Sequence, residues 1–142
     1  MTGVFADTSY WIALTNVQDA DHEKAEAFSA SLKSRPVLTT EAVLIEYLNY
    51  FAGWGPRFRR AAVAAVQAMM ATGAVHIVAH SEQAFQAGLA LYHARPDKGY
   101  SLTDCISMQT MRREGITDVL TNDAHFEQEG FHAVLREPRP AG

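Results

Sequence analysis

Val4-Phe5-Ala6-Asp7-Thr8-Ser9 is the stretch that decides the fold, because a short apolar run ends there in a carboxylate and two hydroxyls. A short apolar run bounded by polar residues is typical of a buried strand, here predicted over residues 3–6. Asp7 then stands at the carboxyl end of that strand, where it can bind a cation or position a water. The alternative is that Asp7 only caps a helix, since Asp, Ser and Thr all favour helix starts.

Outward from this stretch, short apolar runs alternate with longer helical patterns. Such alternation predicts an α/β fold with a mostly parallel sheet. The predicted strands cover residues 3–6, 37–39, 75–78, 117–120 and 132–135. The predicted helices cover residues 19 or 21 to 33, 41–51, 56–71, 81–95, 101–114 and 123–128, with glycines after three of them as stop signals.

Glu46 lies inside the predicted helix 41–51, whose other residues are apolar nearly all round. Such a helix should be largely buried. Glu46 shares a narrow polar stripe with Asn49, three residues on. If this stripe faces the interior, an ionised Glu46 needs a compensating charge. The alternative is that the stripe simply faces water.

Two further carboxylates flank predicted elements in the second half of the chain. Asp104 lies in the first turn of helix 101–114, and Asp123 follows strand 117–120. Each has a structural alternative: Asp104 completes a capping box with Ser101, and Asp123 caps the last helix. For Asp104 the two roles are compatible, because a helix N-terminus stabilises the ionised form that a metal requires.

Convergence of Asp7, Glu46, Asp104 and Asp123 would create a cation site. Strand carboxyl ends and helix N-termini share one edge of an open α/β sheet, so the topology favours convergence. Like charges about 4 Å apart repel by roughly 4 kcal/mol per pair at an effective dielectric near 20. Without a divalent cation such a cluster protonates or splays apart, and its oxygen donors suit Mg²⁺ or Mn²⁺.

Length, charge and cysteine content exclude several classes of protein. The 142 residues predict one domain over residues 1–136 and a frayed tail over 137–142. The net charge of −4 argues against a basic coat protein of nucleic acid, but not against an enzyme acting on phosphodiesters. The lone Cys105 excludes an internal disulfide and a cysteine-based zinc site. No run is long enough for a membrane span, so we expect a cytoplasmic protein.

Three other functions make different demands on the sequence. A phosphatase with an aspartate nucleophile requires a second Asp two positions after the first, where Ser9 stands. A receiver domain requires paired acids near the first strand and a lysine on the last, and the sequence has neither. A non-enzymatic RNA- or protein-binding module stays open. Three arginines at the start of helix 56–71 oppose the helix dipole, so they either bind something or form a solvated face: Arg57, Arg59 and Arg60.

Four motifs occur in a fixed order over nearly the whole chain. They are Val4-Phe5-Ala6-Asp7-Thr8-Ser9, the segment from Leu38-Thr39-Thr40-Glu41 to Ile45-Glu46, Tyr100-Ser101-Leu102-Thr103-Asp104-Cys105, and Leu120-Thr121-Asn122-Asp123-Ala124-His125-Phe126 with Gly130-Phe131. Each is weak alone. As an ordered set they resemble the PIN-domain ribonucleases, especially the VapC-type toxins of toxin–antitoxin pairs.

This resemblance implies a doubly wound parallel sheet of about five strands, in the order 3-2-1-4-5, flanked by helices. It implies that Asp7, Glu46, Asp104 and Asp123 form a catalytic site that binds Mg²⁺ or Mn²⁺, with Thr121 as a polar supporter. The implied activity is endoribonucleolytic hydrolysis of RNA. The alternatives are an rRNA-processing nuclease of the same family and a catalytically silent binding module.

The resemblance also implies partners besides RNA: a small cognate antitoxin and a second copy of the chain in a homodimer, with no membrane. Three aromatic residues around the break at 53–56 would form an apolar docking patch if they are exposed. They are Phe51, Trp54 and Phe58. The alternative is burial in the protein's own core.

Overall fold

Residues 2–141 are described by a computed structural model, in which five short strands alternate with seven α-helices. The strands are β1 (Val4–Ala6), β2 (Val37–Thr40), β3 (Val75–Val78), β4 (Asp118–Leu120) and β5 (His132–Ala133). The helices are α1 (Thr8–Thr15), α2 (His22–Leu32), α3 (Glu41–Tyr50), α4 (Pro56–Thr72), α5 (Glu82–Ala94), α6 (Leu102–Glu114) and α7 (Ala124–Gln128). A 3₁₀ helix, Val134–Arg136, follows β5.

The strands form one sheet in the order β3-β2-β1-β4-β5, and every neighbouring pair is parallel. The central strand β1 is fully buried, as its apolar sequence requires. The chain order reverses between β1 and its two neighbours, so the carboxyl ends of β1 and β4 lie side by side at the switch point. The predicted α/β fold and strand order are therefore confirmed.

Three helices begin at the caps that the sequence contains. Thr40, Ser81 and Ser101 each accept a hydrogen bond from the backbone N–H three residues on, at the starts of α3, α5 and α6. Each cap satisfies one of the unpaired N–H groups of a first helical turn. Because these caps fix where the helices begin, they also fix which side chains of α3 and α6 face the sheet edge.

Two elements differ from the prediction. Helix α1 was not among the predicted helices, because its aromatic and β-branched residues have weak helix propensity; burial of Tyr10, Trp11 and Ala13 stabilises it instead. The strand predicted over 132–135 is only two residues long. It pairs with β4 alone, and the chain then turns so that the N–H of Leu135 donates to the carbonyl of Thr121 at 3.2 Å.

The expectation that α3 is largely buried is wrong. Val43, Leu44 and Tyr47 are buried, but Ile45 is 57% exposed and Tyr50 is 43% exposed. Only one face of α3 meets the core, because the helix lies at the side of the molecule against α1, α4 and α6. An apolar composition all round therefore did not mean burial all round.

The three aromatic residues around the break at 53–56 differ in exposure. Phe51 is fully buried and Phe58 is half-buried against the core, whereas Trp54 is 43% exposed. Burial in the core, the alternative to an exposed patch, therefore holds for Phe51, which stacks on Phe58 with ring centroids 5.3 Å apart. Trp54 remains as the exposed end of an aromatic cluster.

The last residues contact the domain in the described part of the chain. Glu137 accepts from the His132 ring at 2.6 Å, and Arg139 pairs with Glu23. The predicted fraying of 137–142 stays a prediction, and residue 142 lies outside the described residues. None of the helices between residues 2 and 141 combines the length and the hydropathy that crossing a bilayer requires.

Candidate active site

The structure brings Asp7, Glu46, Asp104 and Asp123 together around one cavity of about 680 Å³. Asp7 follows β1 and Asp123 follows β4 at the switch point of the sheet, while Glu46 comes from the middle of α3 and Asp104 from the first turn of α6. We call this space the acid cavity. The residues after β1 lie about 114 positions before those after β4 in the sequence. They meet here because β1 and β4 are hydrogen-bonded neighbours in the sheet.

Asp7 is the most deeply buried of the four, with 4% of its surface exposed. Its Oδ2 accepts a hydrogen bond from Thr121 Oγ1 at 2.8 Å, but its Oδ1 is buried and has no partner among the described residues. Burial, with a further contribution from the negative charges of Asp104 and Glu46, raises the pKa of Asp7 to about 7, although the Thr121 hydrogen bond opposes this. Asp7 precedes α1, yet its side chain does not cap that helix.

Asp104 combines two roles in one side chain. Its backbone N–H donates to Ser101 Oγ at 3.0 Å, and its Oδ2 accepts from the Ser101 N–H at 3.0 Å, which completes the capping box foreseen from the sequence. The same carboxylate lines the acid cavity. Burial raises the pKa of Asp104, and the nearby charges of Asp123 and Glu46 raise it further.

Glu46 and Asn49 form the polar stripe of α3, and this stripe lines the acid cavity. Glu46 is half-buried, and its Oε1 accepts a hydrogen bond from Thr8 Oγ1 at 2.5 Å. The hydroxyl of Thr8, directly after Asp7, therefore fixes the direction of a carboxylate 38 residues away in sequence. The stripe faces the acid cavity, and this outcome is intermediate between the two alternatives, a stripe in bulk water and a stripe in a dry core.

Asp123 caps α7, because its Oδ1 accepts from the His125 N–H at 2.9 Å, and it also lines the acid cavity. Thr121 connects Asp123 to the opposite side of the switch point. Its fully buried hydroxyl donates to Asp7, accepts from the Asp123 N–H at 3.1 Å and contacts Ser9 Oγ at 3.1 Å. One threonine hydroxyl thus positions the Asp7 carboxylate and the backbone of Asp123.

His125 lies beside Asp104 and Asp123, although it was not among the site residues predicted from the sequence. Its Nδ1 lies 3.3 Å from Asp123 Oδ1 and 3.7 Å from Asp104 Oδ2, and it has no hydrogen-bond partner among the described residues. Ligand atoms of Asp104, Asp123 and His125 all lie within 4.8 Å of one another. The signal that could have indicated it is its position two residues after Asp123, within the short helix that Asp123 caps.

The donor set fits a hard divalent cation. Four carboxylates face one cavity, the described residues place no Lys or Arg at its lining, and Asp7 Oδ1 is buried without a partner. A buried carboxylate oxygen without a donor is costly unless a cation or a proton neutralises it. Oxygen-rich sites of this kind bind Mg²⁺ or Mn²⁺, and an imidazole at the edge is compatible with Mn²⁺.

Comparison with known proteins identifies the family of the chain. The model of the PIN-domain family matches residues 4–131. The 23S rRNA-specific endonuclease VapC20 of Mycobacterium tuberculosis, in strains CDC 1551 and H37Rv, is 35% identical over 139 residues, which cover 94% of this chain and 99% of that protein.

Two solved structures are similar in fold. The crystal structure of Mycobacterium tuberculosis VapC20, a sarcin-ricin loop cleaving toxin, superposes with a TM-score of 0.84 at 30% identity, over 97% of this chain and all of that one. A toxin–antitoxin complex from Klebsiella pneumoniae gives a TM-score of 0.55 at 17% identity, over 87% of this chain and 88% of that one, which is a likeness of fold alone. On its sequence, its sheet order and these matches, the chain belongs to the PIN-domain family.

Proposed function

We propose that this chain is a metal-dependent endoribonuclease that acts as the toxin of a toxin–antitoxin pair. The observation that carries the proposal is the meeting of Asp7, Glu46, Asp104 and Asp123 at one cavity, with a buried and unpartnered Asp7 oxygen. VapC20 is an endonuclease, and the match to this chain covers 99% of its length. That relationship supports both the nuclease chemistry and the role as a toxin. The mechanism below follows from the chain's own residues.

Asp7 and Asp104 would hold the Mg²⁺ or Mn²⁺ directly, and Asp123 and Glu46 would complete the site directly or through waters. When bound, the cation supplies Lewis acidity, which makes water more acidic and offsets negative charge on the phosphodiester. Thr121 holds Asp7 and the backbone of Asp123 in register, so the two strand-end carboxylates keep a fixed separation. Hydrogen bonds of this kind, to the outer side of a ligand, orient it toward the metal.

Glu46 is the proposed proton acceptor. Thr8 occupies its Oε1, while its Oε2 receives no hydrogen bond from residues 2–141. Oε2 would therefore take the proton from the attacking water as the new oxygen–phosphorus bond forms and the bond to the leaving ribose oxygen breaks, and the leaving oxygen would take a proton from solvent. The chemistry needs no ribose 2′-hydroxyl, so preference for RNA comes from the shape of a single-stranded or looped substrate.

The RNA and protein partners follow from the relatives. VapC20 acts on 23S rRNA and cleaves its sarcin-ricin loop, so this RNA is the first substrate to test. A small antitoxin that binds the chain, a homodimeric assembly and a cytoplasmic location complete the proposal. Overproduction of the chain should stop growth of a host cell, and co-production of a small protein encoded beside it should restore growth and co-purify with the chain.

Substitution of single carboxylates tests the nuclease. Asp7→Asn and Asp104→Asn should each lower Mg²⁺- or Mn²⁺-dependent cleavage of 23S rRNA at least about 100-fold, because metal-based charge stabilisation is worth several kcal/mol. Asp97→Asn is the matched control, since its side chain is 71% exposed and lies outside the cavity. Circular dichroism verifies the fold of each variant. Unchanged cleavage by a folded Asp7→Asn protein would refute the assignment.

A further inference from the structure

A strip of aromatic and basic side chains adjoins the acid cavity. Tyr50 lines the cavity beside Glu46, and its ring centroid lies 5.2 Å from that of Trp54, with the two planes tilted by 36°. Both rings are 43% exposed. Arg57 and Arg60 are the second and fifth residues of α4, which begins two residues after Trp54, so they lie three positions apart on one face of that helix. We call Tyr50, Trp54, Arg57 and Arg60 the aromatic–basic strip.

The exposed ring of Trp54 is held in a fixed position. It packs at steep angles against Phe51 and Phe58, with centroids 5.2 and 5.1 Å away. Its backbone N–H donates to the Phe51 carbonyl at 3.1 Å, and the next residue, Gly55, turns the chain with a φ of 93° that favours glycine. A ring that is held by its neighbours and is still 43% exposed is already ordered to receive another flat group, so little entropy is lost when one binds.

The segment that contains the strip is positively charged, in contrast to the chain as a whole. The chain carries a net charge of −4, yet residues 47–81 contain three arginines and no Asp or Glu. Arg59 donates to the Ala52 carbonyl at 2.9 Å. Arg57 and Arg60 are exposed, and within residues 2–141 neither one has an ion-pair or hydrogen-bond partner. Two unpaired guanidinium groups at a helix start, where positive charge is unfavourable, are complementary to phosphate.

We propose that the aromatic–basic strip binds the single-stranded part of the RNA substrate next to the cleaved bond. Bases stack on Tyr50 and Trp54, and Arg57 and Arg60 contact the phosphates. Single-stranded RNA is favoured over duplex because only unpaired bases present free faces for stacking. The proposal rests on the proposed nuclease function, since the strip gains this meaning from its continuity with the acid cavity through Tyr50.

Direct binding is measurable without cleavage. In EDTA, fluorescence anisotropy of a labelled single-stranded RNA of about 8 nucleotides gives the affinity of the full chain. Trp54→Ala should weaken binding at least about fivefold, since a stacked base contributes that much or more, and Trp54→Phe should retain most of the affinity. Tyr92→Ala is the matched control: it removes an aromatic ring that is 52% exposed on α5, away from the strip, and should leave binding unchanged.

Tryptophan emission reports on the same contact in the unmodified protein. Trp11 is 7% exposed, so Trp54 is the tryptophan that a ligand can reach. Single-stranded RNA should quench the emission of the wild-type chain, and the quenching should disappear in Trp54→Phe. The matching duplex should quench less. Quenching that persists in Trp54→Phe would contradict stacking on Trp54 even if Trp54→Ala proves too unstable to measure.

Salt dependence tests the two arginines. Each phosphate contact with a single strand contributes about 0.7 to the slope of log affinity against log salt concentration. Arg57→Gln and Arg60→Gln should each lower this slope by roughly that amount, whereas Arg113→Gln, at the far end of α6, should not. Equal slopes in all four proteins would overturn the phosphate assignment.

Cleavage assays separate this inference from the proposed function. With Mn²⁺, Trp54→Ala should raise KM more than it lowers kcat, because the ring binds substrate away from the reacting atoms. If no form of the chain cleaves RNA while Trp54→Ala still loses RNA affinity, the nuclease proposal fails and the binding strip stands. If Trp54→Ala binds RNA as tightly as the wild type but loses binding to a small protein partner, the strip is a protein-docking surface and the inference is wrong.

Discussion

At the scale of single residues, Asp7 has the largest electrostatic cost in the acid cavity, because it is buried with one oxygen unpaired. Its pKa, 3.8 in an unfolded chain, is raised to about 7 by burial. The folded state therefore holds a proton that the unfolded state releases between pH 3.8 and 7, so stability falls as the pH rises through that window. Above pH 7 the whole penalty is present, and a bound cation would offset it.

Asp7→Asn should consequently stabilise the metal-free protein at pH 8 by at least about 1 kcal/mol, with the difference shrinking toward zero near pH 4. Urea unfolding in EDTA at pH 4, 6 and 8 measures this difference. Asp97→Asn serves as the control, because it removes a carboxylate that is 71% exposed and lies outside the cavity. A variant that is less stable than the wild type at pH 8 would show that Asp7 is not an unneutralised buried charge.

The position of His125 makes a direct contact between its imidazole and a bound cation testable. Its Nδ1 faces Asp104 and Asp123, and Mg²⁺ takes oxygen ligands whereas Mn²⁺ also accepts imidazole. His125→Gln should therefore weaken Mn²⁺ binding by about fivefold or more and change Mg²⁺ binding less. Calorimetric titration of both cations measures this, with His93→Gln on α5 as the control. An equal loss for the two cations would exclude a direct imidazole contact.

The carboxylates, Thr121 and His125 differ in how far the sequence predicts their place in the site. Asp7, Asp104 and Asp123 stand at the ends of strands and helices, so topology alone brings them to one edge of the sheet. Thr121 followed only from the family resemblance, and its three hydrogen bonds explain why a hydroxyl stands there. His125 was not predicted, because its position two residues after Asp123 is the one local signal, and that position does not show whether the ring turns toward α6 or toward solvent.

At the scale of elements, Glu129 ties three helices together behind the acid cavity. Its side chain is 5% exposed and accepts hydrogen bonds from Arg95 after α5, from Arg112 in α6 and from Tyr100 before α6. These bonds, that from Arg95 above all, lower the pKa of Glu129 from 4.5 to about 2, although burial opposes them. Glu129 follows α7, so the network fixes α7, and with it Asp123 and His125, against α6.

Glu129→Gln should destabilise the protein at neutral pH by roughly 1–3 kcal/mol, a range discounted because both arginines are partly exposed. A lowered folded pKa means that the stabilisation is complete above pH 4.5 and is lost as the pH falls toward 2. The variant should therefore lose less stability than the wild type on acidification. Urea unfolding at pH 7 and 3 measures both effects, with Glu127→Gln, an exposed partner of Arg136, as the control. A variant as stable as this control at pH 7 would contradict the role of the network.

The elements themselves were predictable where a cap or stop signal marks them. Ser81, Ser101, Pro56 and Gly73 stand at the helix boundaries that the sequence predicted. Helix α1 lacks such marks beyond Asp7, and its stability comes from tertiary burial that no local pattern displays. The 3₁₀ turn after β5 escaped prediction for a related reason: its buried Val134 and Leu135 look like strand residues, and only the short pairing with β4 ends the strand.

At the scale of the whole molecule, the topology of the sheet determines where the acid cavity lies. Parallel strands with a central switch point place polar residues at the end of a buried sheet, so the acid cavity lies at the edge of the core. The clustered charge destabilises the fold, and the surrounding core of β1, β4 and α6 tolerates it. Ligand binding and overall stability are therefore coupled, since a cation that binds only the folded state stabilises the whole domain.

Mn²⁺ should accordingly raise the melting temperature of the wild-type chain at pH 8. At a concentration about 100 times the dissociation constant, linkage gives about 2.7 kcal/mol, which corresponds to several degrees for a domain of this size. Asp7→Asn and Asp104→Asn should lose this shift, while Asp97→Asn should keep it, and Ca²⁺ should compete less well than Mg²⁺. Differential scanning calorimetry with and without Mn²⁺ decides the matter. If all four proteins shift equally, the cation binds elsewhere, and the convergence of carboxylates at the switch point has some purpose other than holding a metal.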